Sequence, residues 1–152
     1  MLPFDRLIIA VDAWAGQAGR HDIFAQIGNT AYQPRNFGWK PALPPHEFAE
    51  QIRAAELIIS HAGMGTIITA LTAGKSIVLL PRLVANHEVT TDHQIHTANW
   101  AKEKSGIFVS PNVSGLPATI TEALNRPLIA TPSISASAPA DFVANVRRFL
   151  TE

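Results

Sequence analysis

The stretch from residue 56 to residue 66 restricts the fold of this chain more than any other part of it. Leu57-Ile58-Ile59 is an uninterrupted apolar run, which is typical of a short parallel strand covered on both faces. Gly63 and Gly65 follow, and residues without a Cβ permit a tight turn and a close approach to the main chain. Residues 66–74 then predict a helix that ends at a glycine cap. The stretch therefore predicts a buried strand, a turn and a helix in direct succession.

A turn of this kind allows two interpretations. The unpaired N–H groups and the partial positive charge at a helix N-terminus suit a diphosphate. Alternatively, the glycines serve only the change of direction between strand and helix. The spacing is not a Walker loop, because no Gly-Lys-Ser/Thr follows it, and it lacks the third glycine of the dinucleotide fingerprint. The spacing alone leaves both interpretations open.

Length and composition narrow the class of protein. The 152 residues predict a single domain with a substantial core, and a charged share of 16% leaves room for an apolar surface patch meant for a partner. Lys plus Arg and Asp plus Glu both number 12, so no basic field exists that would attract nucleic acid or an anionic membrane. Cysteine is absent, which excludes disulfides and thiolate metal sites. We therefore expect no nucleic-acid partner.

The sequence contains neither a recognisable secretory signal nor an apolar run long enough to span a membrane. Pro3, Asp5, Arg6 and Asp12 interrupt any secretory signal pattern. No apolar run approaches the length of about eighteen residues that a membrane span requires. We expect a cytoplasmic protein that reaches a membrane only through another component.

Helical and extended segments alternate along the chain. Helices are predicted over residues 3–18, 45–55, 66–74, 91–105, 116–124 and 139–150, and strands over residues 23–27, 36–39, 57–59, 77–80 and 107–109. Thr91 and Gln94 have the spacing of a capping box at the start of a helix. The alternation predicts an α/β fold with a doubly wound, mostly parallel sheet. Ligands of such sheets lie beyond the carboxyl ends of the strands, where polar turns are expected at residues 28–30, 60–63 and from 82 onward.

Three blocks of sequence, residues 60–66, residues 74–82 and Asp92-His93-Gln94, resemble the C-terminal, donor-binding half of family 28 glycosyltransferases. Residues 3–7 and 26–30 extend the likeness towards the N-terminus. The chain most resembles the separate-chain catalytic subunit of two-chain UDP-sugar transferases of lipid-linked glycan or exopolysaccharide assembly. The resemblance implies the Rossmann-like half of a GT-B fold over residues 1–138.

The resemblance also implies a site. The main chain from Gly63 to Thr66 would cradle the diphosphate, and the whole nucleotide-sugar site would comprise Gly28, Asn29, Ser60, Gly63, Met64, Gly65, Thr66, Thr69, Arg82 and Gln94. His61 and His93 are the candidate catalytic residues, since neutral imidazole is a competent base near pH 7. Glu88 and Asp92 are the alternative acid–base candidates.

Several of these residues also have a purely structural explanation. His61 is equally explained as a histidine at a strand end bonded to main chain, and Gln94 by the capping box. His87, Glu88, Asp92, His93 and His96 are rich in metal-ligand types but have no diagnostic spacing. We expect no metal and no cofactor, with the UDP-sugar as donor substrate.

Two features depart from the family pattern. The family normally begins with a strand and a Gly-Thr turn directly before the block at residues 3–7, whereas here Met1 and Leu2 stand where that strand would end. An absent inner strand would leave main-chain groups unpaired in its neighbours. Many members also carry a ribose-binding glutamate at the position of Thr69, whose hydroxyl supplies no charge.

The resemblance further implies a partner. The amphipathic helix over residues 139–152 would dock a membrane-anchored partner subunit, which carries the acceptor site and recruits a lipid-linked acceptor at the inner membrane face. The sequence thus predicts the donor-binding subunit of a hexosyl (GlcNAc or glucuronosyl-like) transferase in polysaccharide biosynthesis. A non-catalytic nucleotide-sugar-binding or regulatory half-module is the alternative.

Overall fold

The computed structural model describes residues 2–126 together with Ala144 and Arg148. Helices and strands alternate along the described chain. In order they are α1 (Asp5–Ala18), β1 (Phe24–Gln26), β2 (Gly38–Lys40), α2 (Pro45–Ala54), β3 (Leu57–Ser60), α3 (Met64–Thr72), β4 (Ser76–Leu79), a 3-10 turn (Val84–Asn86), α4 (His93–Ala101), β5 (Ile107–Val109) and α5 (Leu116–Asn125). Apart from Ala144 and Arg148, the predicted helix over residues 139–152 lies outside the described residues, so its proposed docking role stays a prediction.

All strand pairs are parallel, which confirms the predicted α/β class. The strands form two sheets instead of one continuous sheet. β1 pairs with β2, and β3, β4 and β5 form a second sheet with β4 in the middle. Every residue of β4 is buried, as a strand covered on both faces requires.

Helices cover both faces of the larger sheet, so the fold is doubly wound. Ile58, Ile77 and Leu79 point towards one face, where they pack with Ile52 of α2, Ile67 of α3 and Ala98 of α4. Val78 points to the opposite face. There it packs with buried side chains of α1, α5 and the segment before β2, which are Val11, Ala15, Phe37, Leu116, Ile120 and Ala123. The alternation of side chains along a strand explains how one short strand contributes to both cores.

Two local predictions differ from the structure. The capping box is wrong, because α4 begins at His93 with Asp92 as its N-cap and no side chain caps its amides. The helix of the central turn begins at Met64, so Gly65 lies within the first helical turn and not before it. None of the helices in the described part of the chain is long and apolar enough to cross a bilayer.

A carboxylate inside α1 holds the irregular segment that precedes β2. Asp12 is 3% exposed and accepts hydrogen bonds from the Tyr32 hydroxyl at 2.6 Å and the Asn36 amide at 2.9 Å, with the Arg35 amide at 3.1 Å. Burial by itself raises the pKa of Asp12, but these hydrogen bonds outweigh it and hold the pKa below its ordinary value. The ionised form of Asp12 therefore stabilises the folded chain.

We expect Asp12→Asn to lower the free energy of unfolding at pH 7 by about 2 kcal/mol, since hydrogen bonds to a buried charge are lost. Because the folded pKa is lowered, the contribution is present above the unfolded pKa of about 4 and is lost as the pH falls through the folded pKa. Urea unfolding as a function of pH measures both effects. Asp22→Asn, at an exposed ion pair with Arg20, is the control and should change stability little. Equal losses in the two variants would contradict the role of Asp12.

Candidate functional site

The carboxyl ends of β3 and β4 meet at one edge of the larger sheet. After β3 the chain turns sharply, and the Gly63 amide donates to the His61 carbonyl at 2.8 Å. The helix α3 then begins at Met64. Parallel pairing of Ser60 with Leu79 brings the segment that follows β4 to the same edge. The two turns therefore frame one site.

The N-terminus of α3 presents unpaired main-chain donors. Among the described residues, no acceptor receives the amides of Met64, Gly65 or Thr66, and no side chain caps the helix. A Cβ built on Gly65 would have no atom within 4 Å. The turn thus combines free N–H groups with open space above them, which is what an anionic ligand requires.

Gly63 must lack a side chain for a different reason from Gly65. A Cβ at this position would lie 2.4 Å from Nε2 of His61, because the imidazole folds back over the turn. The close approach that the sequence indicated at Gly63 is therefore made by the protein's own histidine. Of these two glycines of the turn, Gly65 is the one that leaves space for a ligand.

His61 is half-buried beside Arg82 and His93. Burial lowers the pKa of His61, and the electrostatic interactions with Arg82 and His93 lower it further. Its Nδ1 lies 3.3 Å from the Ser60 hydroxyl. At neutral pH the ring is therefore uncharged and has a nitrogen able to accept a proton.

Arg82 anchors the segment that follows β4. Its side chain lies 4.7 Å from the centre of the Phe4 ring, and its Nη1 donates to the carbonyls of Leu2 at 2.7 Å and Glu88 at 2.9 Å. Arg82 is 7% exposed, and its buried Nε has no partner among the described residues. Burial lowers the pKa of this guanidinium while Glu88 raises it, but an arginine stays charged at any physiological pH.

Gln94 and His93 occupy the start of α4. The Gln94 side chain is 5% exposed, and its Oε1 accepts from the Arg82 amide at 3.1 Å. Because the Gln94 oxygen accepts from the Arg82 amide, the NH₂ group of Gln94 is free to donate a hydrogen bond to a ligand. His93 is exposed, and its Nδ1 lies 2.7 Å from the Thr91 hydroxyl. Both predicted residues thus lie at the same edge as His61.

Glu88 and Asp92, the alternative acid–base candidates, both accept hydrogen bonds from other residues of the chain. Glu88 is buried and receives both a bidentate pair from Arg6, at 2.8 and 2.9 Å, and the Leu83 amide at 3.0 Å. Burial raises the pKa of Glu88, but Arg6, the Leu83 amide and Arg82 outweigh it and lower the pKa overall. Asp92 accepts from the Val84 amide at 3.1 Å. These carboxylates therefore shape the loop after β4.

The remaining predicted residues lie elsewhere. Gly28 follows β1 with a φ of 66°, a conformation that favours glycine, and exposed Asn29 comes next. Both are at the end of the smaller sheet, and no hydrogen bond within the described residues joins them to the turn at Gly63. The Thr69 hydroxyl donates to the Gly65 carbonyl inside α3 at 2.8 Å. Nowhere in residues 2–126 do three or more His, Asp or Glu side chains come together as metal ligands.

Sequence reasoning missed the residues that hold the site together. Arg6 and Phe4 contact Glu88 and Arg82 across more than seventy intervening residues. No spacing pattern signals such a pair. The block at residues 3–7 stood out only through its resemblance to a family.

Comparisons with known proteins agree on one kind of domain. The sequence profile of the glycosyltransferase family 28 C-terminal domain matches residues 3–145. The UDP-N-acetylglucosamine transferase subunit ALG13 of Yarrowia lipolytica is 36% identical over 64 residues, which is 42% of this chain and 31% of that protein.

The fold has a counterpart among solved structures. The crystal structure of the glycotransferase of kitacinnamycin matches 95% of this chain and 35% of its own length, with a TM-score of 0.59 and 18% identity. Identity this low shows a shared fold alone. The chain spans about a third of the length of each of these two relatives.

The two glycines of the turn provide a test of the site geometry. We expect Gly63→Ala to push the His61 ring out of its half-buried position, and the pKa of His61 should rise towards its ordinary value as burial is lost. Gly65→Ala meets no atom within 4 Å and should leave the titration unchanged. NMR titration of the imidazole measures both variants. Identical curves for the two variants would show that His61 does not lie over Gly63.

Proposed function

Because this chain belongs to the glycosyltransferase family 28 C-terminal domain family, we propose that it is the donor-binding subunit of a UDP-sugar-dependent glycosyltransferase. The transferred group would be a hexosyl residue, GlcNAc or glucuronosyl-like, and the acceptor would be lipid-linked. The named relative, a UDP-N-acetylglucosamine transferase subunit, supports the donor class. The chain would act with a second subunit.

The free N-terminus of α3 is the observation that carries this proposal. The unpaired amides of Met64, Gly65 and Thr66 would bind the diphosphate of the donor. The helix dipole and the charge of nearby Arg82 both favour an anion at this point. Open space above Gly65 lets phosphate oxygens approach the main chain.

The chemistry would be attack of an acceptor hydroxyl on the anomeric carbon, with UDP as leaving group. Charge develops on the departing diphosphate, and donors that are already oriented stabilise it without reorganisation. His61 is uncharged and could accept the hydroxyl proton, while His93 and the Gln94 NH₂ group would approach the donor sugar. Ser60, through its contact with Nδ1, would hold the His61 ring.

The proposed second subunit would supply the acceptor site. Large apolar side chains are exposed near the turn, with Met64 and Ile68 both 43% exposed and Val84 37% exposed. An apolar rim of this kind is typical of a surface that another protein covers. We further propose that this subunit is membrane-anchored, which would place the chain at the inner face of the membrane in polysaccharide assembly. No cofactor is proposed besides the donor.

Nucleotide binding tests the proposal directly. We expect UDP to raise the melting temperature of the purified chain, because a ligand that binds only the folded state stabilises it by mass action. Gly65→Val should abolish the shift by placing a branched side chain over the free amides. Thr72→Val, an isosteric change at the far end of the same helix, is the control and should keep the shift. UMP, which lacks the second phosphate, should produce a smaller shift than UDP.

Two results would refute the diphosphate site. One is a UDP shift that persists in Gly65→Val, and the other is equal stabilisation by UMP and UDP. Isothermal titration with a panel of UDP-sugars would then identify which hexose the chain prefers.

A further inference from the structure

The imidazole of His61 lies over the turn whose amides are free. Its Nε2 is 2.4 Å from the point where a Cβ on Gly63 would stand, and the ring carbons on either side of Nε2 are both 3.0 Å from that point. The first unpaired amide belongs to the next residue, Met64. The Nε2 edge of the ring therefore lies beside the N-terminus of α3, where an anion would bind.

The opposite edge of the ring is held by the last residue of β3. Nδ1 lies 3.3 Å from the hydroxyl oxygen of Ser60, whose carbonyl accepts from the Leu80 amide at 2.9 Å. The positive end of the α3 dipole favours a lone pair on Nε2, which places the hydrogen of the neutral ring on Nδ1, where it is donated to Ser60. A proton can then be added at Nε2 without any change in the contact with Ser60.

Two titratable groups act on the ring, and each comes from a different element. Arg82 belongs to the segment after β4, and His93 is the first residue of α4. No carboxylate among the described residues offsets them at His61. Glu88 pairs with an arginine of α1, and Asp92 accepts from the main chain of the loop after β4. Burial and the two interactions therefore keep the pKa of His61 low, and the ring is neutral when no anion is bound.

A diphosphate at the turn would reverse the electrostatics of this ring. A negative charge a few ångströms away favours the protonated form of an imidazole. UDP carries one negative charge more than a UDP-sugar above about pH 6, because its terminal phosphate is not esterified. Breaking the bond between sugar and diphosphate therefore adds a negative charge beside Nε2. The acceptor hydroxyl releases a proton in the same step.

We propose, on the basis of the diphosphate site above, that Nε2 of His61 holds a proton while UDP occupies the turn and has none when the turn is free. In turnover the acceptor O–H bond breaks as its oxygen bonds to the anomeric carbon. The bond from that carbon to the diphosphate breaks, and the hydroxyl proton goes to Nε2. UDP then lies against an imidazolium, and its release requires His61 to return the proton to solvent.

Coupling of this kind makes the affinity for UDP depend on pH. The pKa of His61 is higher in the UDP complex than in the free chain, because the added negative charge stabilises the imidazolium. The extra affinity is therefore fully present below the pKa of the free chain, and it is lost as the pH rises through the pKa of the complex. A UDP-sugar, with one charge fewer, shows the same dependence more weakly. The site thus retains its product more strongly at lower pH.

Isothermal titration of the full chain with UDP, in two buffers that differ in their heat of ionisation, counts the protons taken up. At about pH 7.5 the terminal phosphate of UDP is already ionised, so a proton taken up goes to the protein. We expect UDP to take up a larger fraction of one proton than UDP-GlcNAc does. The affinity for UDP should fall about tenfold from pH 7 to pH 9.

Substitutions and NMR assign the proton to one ring. His61→Gln keeps a hydrogen-bond donor but has no titratable group, so the proton uptake and the pH dependence should vanish while UDP still binds. His96→Gln, at an exposed position one turn beyond His93 in α4, is the matched control and should keep both. NMR titration of the unchanged chain should show a higher pKa for His61 with saturating UDP than without it. This measurement needs no variant, so it decides the question even where His61→Gln does not fold.

Two outcomes would overturn the proposal. One is a pKa of His61 that stays the same or falls when UDP is bound, and the other is proton uptake that persists in His61→Gln, since another group would then hold the proton. UDP binding without proton uptake would remove this proposal and leave the diphosphate site standing. A chain that binds neither UDP nor UDP-GlcNAc would refute the proposed function, and the role of His61 with it.

Discussion

The network around Arg82 is the interaction on which the candidate site depends. Arg82 connects the start of the described chain, the loop after β4 and, through its amide, Gln94 of α4. Glu88 completes the network through its pair with Arg6. Breaking one partner of a buried ion pair leaves an uncompensated charge, which costs more than the intact pair gains. These contacts fix the loop after β4 to the rest of the fold and place the positive charge of Arg82 beside His61.

In the turn after β3, the glycines at 63 and 65 are required for different steric reasons. Gly63 makes room for a histidine ring that belongs to the chain, whereas Gly65 leaves its main chain open to the outside. The turn also uses one of its own amides, because Gly63 donates to His61. A phosphate site in this position would rest on the three following amides. The sequence pattern predicted a site at this turn, but it could not divide the roles of the glycines.

The main chain of the two parallel sheets is not fully paired within the described residues. A continuous sheet satisfies the main chain of every inner strand, but β1 and β3 each leave one side unsatisfied within the described residues. The helix α1 nevertheless packs over both strands, through Val11 and Ala15. Apolar packing has no direction, whereas strand pairing needs register and alignment, which explains how one is present without the other.

The sequence by itself determined the order and kind of the elements, because helices and strands follow from the local spacing of apolar side chains. It also predicted a ligand site at the turn that follows the strand over residues 57–59, and that site remains a prediction. Only the tertiary structure decided that Gln94 supports Arg82 instead of capping a helix, that Glu88 is occupied by Arg6, and that the strands divide into two sheets. These features join residues far apart in the chain, up to 82 positions for Arg6 and Glu88, and no local pattern records such contacts.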